Sequence, residues 1–336
     1  MEHRDDTRGF TLVELMAGMA ISAIVVLAVY YGVIYRFGRV AQDQHRVGLQ
    51  RDADNAAYWI ELVLREGSWA YLDSEGTDSL TVDNFSQSLQ KRIYADGARL
   101  LVDAEGTTHE VIDNLQNLDF SVYMDRVEYE LTVAEDEETV TLGSTKQFRN
   151  LSCVGLWHFS EGTGGMTYDM SANNNSVAIY GPSWVPGFVG FGLSFDGVDD
   201  YLEVPDNPDL QSGQRIAIGA AVRTNSGGLQ SILSRESPGG TRVRLYLNGD
   251  DLHYAFGDSR DVSAGSLTWN AEQWYEVCVQ HDGPAGRVHF YRNGNKVGSA
   301  TGSLPAMNDG DLYIGSRGGT SEFWDGSLDE VRFSSY

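Results

Sequence analysis

Between Leu15 and Tyr35 there is no charged residue and no proline, and Arg36 closes the run. As an α-helix, at roughly 1.5 Å per residue, this stretch reaches about 31 Å, the thickness of a bilayer's hydrocarbon core. A run of this kind predicts one long helix that spans lipid. One carboxylate, Glu14, sits at its edge, four residues after Phe10. A carboxylate costs on the order of 3 kcal/mol at mid-bilayer and less near the edge, so its presence points to a cation that pairs with it. The polar leader ahead of the run ends in Arg8-Gly9-Phe10-Thr11-Leu12-Val13.

Gly9-Phe10-Thr11-Leu12-Val13-Glu14 resembles the type III signal of type IV pilins and pseudopilins. The resemblance implies cleavage between Gly9 and Phe10 by a membrane prepilin peptidase, with methylation of the new amino group. It also implies pairing of Glu14 with the N-terminal ammonium of a neighbouring subunit during filament assembly. An ordinary secretory signal needs a small-x-small site after its apolar core, and Tyr30-Tyr31-Gly32-Val33 does not supply one.

The chain is long enough for two folded units after the anchor, and all seven prolines fall at or after Pro182. The charge balance, 24 Lys+Arg against 48 Asp+Glu, leaves no basic run for phosphate contacts, so nucleic acid is not an expected partner. The two cysteines, Cys153 and Cys278, either join as a disulfide in an oxidising compartment or stay as buried thiols. No CxxC or Cys/His cluster suggests zinc.

The first half reads as a helix continuing to about Ser68, with an apolar stripe through Phe37, Val40, Val47, Ala56, Trp59, Ile60 and Val63. Short alternating strands follow at 79–82, 92–95, 99–103, 118–124 and 127–134, with turns at Gly97 and Gly106. The closing segment Thr139–Asn150, ending Arg149-Asn150, resembles the last strand of PilW-like minor pilins and J-class pseudopilins of type II secretion. The acidic loop Glu135–Glu138 reads as a solvated turn.

From Cys153 onward thirteen short apolar-alternating runs are separated by Gly, Asn, Asp and Ser turns, with Asn248-Gly249 and Asn293-Gly294 as hairpin signals. This pattern, with no helical period, predicts two packed antiparallel sheets. Leu193-Ser194-Phe195-Asp196-Gly197-Val198-Asp199-Asp200-Tyr201-Leu202, Tyr168-Asp169-Met170-Ser171-Ala172-Asn173 and Leu328-Asp329-Glu330-Val331-Arg332-Phe333 resemble blocks of the concanavalin A-like lectin/glucanase superfamily, in its laminin-G-like branch. Glycosidases of that superfamily carry Glu-x-Asp-x-Glu on one strand, with two carboxyl groups roughly 5 Å apart. No such triplet occurs after Cys153, so the expectation is a binding module and not an enzyme.

The resemblance implies a structural Ca²⁺ at the position of Asp329, with Asp196 and Asp169 as further oxygen donors. The alternative is that these carboxylates only hold turns. Sugar rings bury against aromatic faces beside a few polar groups. Trp184, Tyr254, Trp269, Phe323 and Trp324 are candidates, and Phe323-Trp324-Asp325 is the favoured ligand-binding set.

The expected fold is therefore an α+β pilin body with a long N-terminal transmembrane α-helix, followed by an all-β antiparallel sandwich of jelly-roll, laminin-G-like form. Its parts are a prepilin leader (1–9), a transmembrane and filament-core helix (10–35), a pilin-like body (36–151) and the sandwich (152–336). The expected role is a minor pilin or pseudopilin of a type IV pilus-like or type II secretion filament that presents a lectin-like module for adhesion. The alternative is a secretion pseudopilin whose sandwich binds exported proteins or acts as a spacer. Partners would be other pilins, the prepilin peptidase, the inner membrane before assembly, and a glycan or surface protein once the filament is periplasmic or extracellular.

Overall fold

The structure, a computed structural model, describes residues 12–336 apart from 67–68, 73–77, 85–88, 105, 124–125, 148–152, 172, 212, 238–239, 258–259, 305–308 and 336. The cleavage residues Gly9 and Phe10 and the Arg149-Asn150 ending lie outside the described residues. So does the Glu14 side chain, although its backbone is helical.

Helix α1 (Leu12–Glu66) is continuous over 55 residues. Its leading part exposes Met16, Ile21, Ile24, Val26, Val29 and Ile34 with no protein packed against them, a surface that calls for lipid or other subunits. Among the described residues no helix is long and apolar enough to count as a membrane crossing. The span expected over 10–35 begins in residues that are not described.

The trailing part of α1 buries Leu49, Ala53, Ala56, Ile60 and Val63, spaced alternately four and three residues apart as one helix face requires. This stripe differs from the one expected: Val47 is 69% exposed, and Leu49 and Ala53 take its place.

After the helix come β1 (Trp69–Leu72), β2 (Ser79–Asn84), β3 (Leu89–Asp96), β4 (Arg99–Ala104) and β5 (Thr107–Ile112), paired in sequence order as an antiparallel meander. A separate three-stranded sheet follows from β6 (Leu115–Val122), β7 (Arg126–Glu135) and β8 (Glu138–Gln147). Strand β7 alternates cleanly and points Val127, Tyr129, Leu131 and Val133 into the core shared with α1. Lys146 reaches Glu61 of the helix at 3.0 Å. β8 ends at Gln147, so it occupies the segment expected to close the body.

The second half opens with β9 (Cys153–Trp157), β10 (Met166–Thr167), β11 (Val177–Tyr180), β12 (Ser183–Pro186), β13 (Phe191–Asp196) and β14 (Tyr201–Val204). Next are β15 (Arg215–Thr224), β16 (Leu229–Ser237), β17 (Gly240–Asn248), β18 (Asp251–Phe256) and β19 (Arg260–Ser266). The chain finishes with β20 (Tyr275–Asp282), β21 (Arg287–Arg292), β22 (Asn295–Thr301), β23 (Asp311–Ile314) and β24 (Asp325–Ser335).

Two sheets enclose one core. The larger runs β12-β13-β24-β15-β20-β21-β22, with β9 also on β24, and the other runs β10-β11-β14-β23-β16-β17-β18-β19. Every expected strand of this half is present, and β10, β12 and β19 are added. The Asn293-Gly294 turn has both residues at positive φ, 50° and 72°, as a tight right-twisting hairpin needs.

Trp157 anchors the core at 0% exposure and donates its indole N–H to the Asn175 carbonyl at 2.9 Å. Gly155 makes room for that ring, since a Cβ there would lie 2.2 Å from it. The cysteines are both free. They lie on β9 and β20 with β24 and β15 between. Three strand spacings put them about 14 Å apart, twice the roughly 7 Å limit for a disulfide. Burial raises both thiols' pKa values.

Candidate ligand face and acidic turn

Each expected metal ligand has its own place, and the structure does not bring the three together. Asp169 organises the loop between β10 and β11. Its Oδ1 accepts the amides of Leu156 (2.9 Å) and Ser171 (2.7 Å), and its Oδ2 accepts the Ser171 hydroxyl (2.7 Å) and the Asn175 amide (2.7 Å). Both oxygens are thus engaged in holding a turn.

Asp329 is wholly buried on β24 and clasps the 187–190 turn. Its Oδ2 accepts the Val189 amide at 2.9 Å and its Oδ1 the Glu330 amide at 2.8 Å. Burial pushes its pKa up to about 7, against the opposing pull of these amide donors. Both Asp169 and Asp329 hold turns here, as the turn-holding alternative describes. Beside Asp329, Glu330 sits at a φ of 50° and its carboxylate accepts from His158 Nδ1 at 2.7 Å, and that hydrogen bond raises the histidine pKa.

Asp196 is in different company. At the end of β13 it joins Asp199 and Asp200 in a turn where one carboxylate oxygen from each lies within 4.8 Å of the others. Asp200 Oδ2 accepts the Asp196 amide (2.9 Å), and Asp196 Oδ1 accepts the Val198 amide (2.8 Å). Burial raises the Asp200 pKa, and the charges of Asp196 and Asp199 add to the rise. Three carboxylates at this spacing are a donor set that could hold a hard cation such as Ca²⁺, and such an ion would relieve the repulsion. Gly181 is required here, because a Cβ would fall 1.9 Å from Asp200 Oδ1.

The favoured aromatic set divides. Trp324 is 0% exposed and belongs to the sandwich core, so its ring is no platform for a ligand. Tyr254 is buried as well. Phe323 is half-buried. Asp325, however, stands opposite Asp196 in the β13–β24 pairing and accepts the Asn225 side-chain amide at 3.2 Å, so it borders the acidic turn. Trp184 and Trp269 donate their indole N–H groups to the backbone of Gly164 and Asp250.

Besides Tyr168, Phe188 and Phe191, which are exposed elsewhere on the sandwich, a row of partly exposed tyrosines lies on the outer side of the second sheet. Leu202 and Val204 of β14 face the core, so Tyr201 and Glu203 face out. Tyr201 stacks on its cross-strand partner Tyr180 at 5.0 Å and 19°, and Tyr313 of β23 lies 6.2 Å from Tyr201. Tyr180 is 46% exposed. The Tyr313 hydroxyl donates to Glu203 at 3.4 Å, and burial together with that carboxylate pushes its pKa to about 12. Tyr180 and Tyr201 adjoin Gly181 and Asp200, so the tyrosine row runs directly into the acidic turn.

Further along the same face, Arg244 covers the Tyr246 ring at 3.8 Å and pairs with Glu322, while His253 stacks on Tyr246 at 4.9 Å. Sequence reading missed this row. Its signal was alternation: tyrosines at the outward positions of two paired strands.

Comparison with known proteins bears on both ends of the chain. Residues 4–30 match the family model of the prokaryotic N-terminal methylation motif, and residues 196–336 match that of the concanavalin A-like lectin/glucanases superfamily. No curated protein sequence matches the chain.

Among solved structures, domain 4 of AbnA, a GH43 extracellular arabinanase from Geobacillus stearothermophilus in complex with arabinotriose, is 16% identical. That alignment covers 55% of this chain and 93% of the other, at a TM-score of 0.45. The binding domain of botulinum neurotoxin DC in complex with rat synaptotagmin II is 14% identical, covering 55% and 48%, at 0.43. Trypanosoma rangeli sialidase in complex with sialic acid is 12% identical, covering 80% and 52%, at 0.42. The chain spans about half the length of these last two. At these scores the likenesses bear on neither activity nor ligand. The chain carries a prokaryotic N-terminal methylation motif at its start and a concanavalin A-like domain over its C-terminal part.

Proposed function

We propose that this protein is a minor pilin or pseudopilin, cut between Gly9 and Phe10, that presents its sandwich for adhesion to a glycan or a glycosylated surface. Residues 10–35 anchor it in the inner membrane before assembly, and Glu14 pairs with a neighbouring subunit's N-terminus in the filament. The observation that carries the adhesive reading is the stacked row Tyr180–Tyr201–Tyr313 beside Glu203 and the acidic turn. Apolar sugar faces bury on such rings while hydroxyls meet the carboxylates.

The reading assigns no hydrolytic role to the sandwich. Calcium, in this reading, sits at Asp196, Asp199 and Asp200, not at Asp329. A secretion role would use the same filament chemistry with an exported protein on the sandwich. The filament half of the proposal is tested by peptide mass mapping of the protein recovered from sheared filaments. N-methylated Phe10 as first residue supports it, and an intact leader or absence from filaments overturns it.

A further inference from the structure

We infer that the sandwich is locked to the pilin-like body through a shared strand, so that the fold and not a linker sets the direction in which the tyrosine row points. The inference is independent of what the sandwich binds. Strand β1 pairs antiparallel with β2 over four residue pairs, and at Leu72 it also pairs parallel with Asn295 of β22. The Leu72 amide donates to the Gly294 carbonyl at 3.2 Å, so β1 joins the larger sandwich sheet at the start of its edge strand β22.

Side chains close over this contact. Tyr71, 5% exposed, packs its ring 5.4 Å from Tyr291 and 6.4 Å from His289, with Lys296 Nζ 5.0 Å from its centroid. Its hydroxyl accepts from Gln90 of β3 at 2.8 Å, so one residue ties both parts. Gly294 meets the body so closely that a Cβ would lie 2.4 Å from the Val122 carbonyl oxygen.

A pocket of about 10 Å³, room for no more than one water, lies between Ala70, Val122, Cys278, Tyr291 and Gly294. Burial lowers the His289 pKa to about 4, and the charges of Lys296 and Arg287 add to the fall.

The test is hydrogen exchange with mass spectrometry on the full chain in detergent, with one substitution on each side of the seam. Tyr71→Ala, in the body, is expected to speed exchange in β22 about tenfold while β15 and β20 keep their protection. Lys296→Ser, in the sandwich, is expected to speed exchange in β1. Unchanged β22 exchange in the first variant and unchanged β1 exchange in the second would show two independent modules and overturn the inference. Should Tyr71→Ala unfold the body, seen as lost protection in β3 and β4, Lys296→Ser decides by itself.

Discussion

The two sheets of the sandwich share one core but present opposite outer faces. On the larger sheet the outward positions of β15 are Ala217, Gly219 and Ala221. Their neighbours Gln280, Ser334 and Asp329 are buried despite pointing away from the core. Tyr71 of the body lies on Tyr291 of the same face. On the second sheet the outward positions hold Tyr180, Tyr201, Tyr313 and His253, partly open to solvent, together with the buried Arg244 and Tyr246. Both faces alternate in the same way in sequence. What separates them is where their polar groups are used. On the larger sheet they hold strands and the body, whereas on the second sheet they pair with one another beside partly exposed rings.

Three substitutions sharpen this contrast. The largest expected effect is at the carboxylate that ties the β10–β11 loop of the second sheet to β9 of the larger one. Asp169→Ala removes the acceptor of four short hydrogen bonds, and at roughly 1 kcal/mol each the sandwich loses about 3–4 kcal/mol. Thermal unfolding by circular dichroism should show a drop of about 10 °C. A drop no larger than that of an exposed control such as Arg51→Ala would mean the carboxylate is not structural.

Asp329 gives a pH effect whose sign follows from its raised pKa. Between the ordinary carboxylate range near 4 and about 7, the folded protein keeps a proton that the unfolded chain releases. Its contribution is therefore complete at the acid end and is lost as pH rises toward 7. His158, also raised by its partner, has the same sign just above the ordinary histidine range. Asp329→Asn should flatten the fall in denaturant midpoint between pH 4 and 7. An unchanged slope would contradict the burial argument.

The smallest effect is at the acidic turn. Calcium in millimolar excess should raise the wild-type melting temperature by a few degrees, as a cation bound only to the folded state does. Asp200→Asn should abolish that rise while gaining slightly in calcium-free buffer, because a buried, repelled charge has gone. Equal calcium shifts in both proteins would remove the turn as a metal site.

Much of the architecture was legible in the sequence because strand alternation and turn chemistry are local. Strands β11, β14, β21 and β23 have their expected limits, and Asn293-Gly294 turns as its residue types require. Where sequence reading failed, the deciding contact was long-range. Trp324 follows a glycine-rich stretch that reads as a loop, yet the chain returns it to the core. Nothing near Cys153 or Cys278 in sequence shows that two strands separate them. The shared strand β1 is four residues long and pairs with a partner more than two hundred positions away, beyond what any local signal carries. Asp196 alone was legible as an oxygen donor, whereas its grouping with Asp199 and Asp200 needed the turn to be built.

The most direct test of the account is a glycan array probed with the full chain in detergent, comparing wild type, Tyr201→Ala and Arg287→Ala. Tyr201 lies in the tyrosine row, and Arg287 lies on the outer face of the larger sheet, where it pairs with Asp282. The account predicts defined glycan hits for wild type and Arg287→Ala, and at least about tenfold weaker binding for Tyr201→Ala, the order of one lost aromatic contact. A blank array for folded wild type, or hits that survive Tyr201→Ala and vanish with Arg287→Ala, would contradict it.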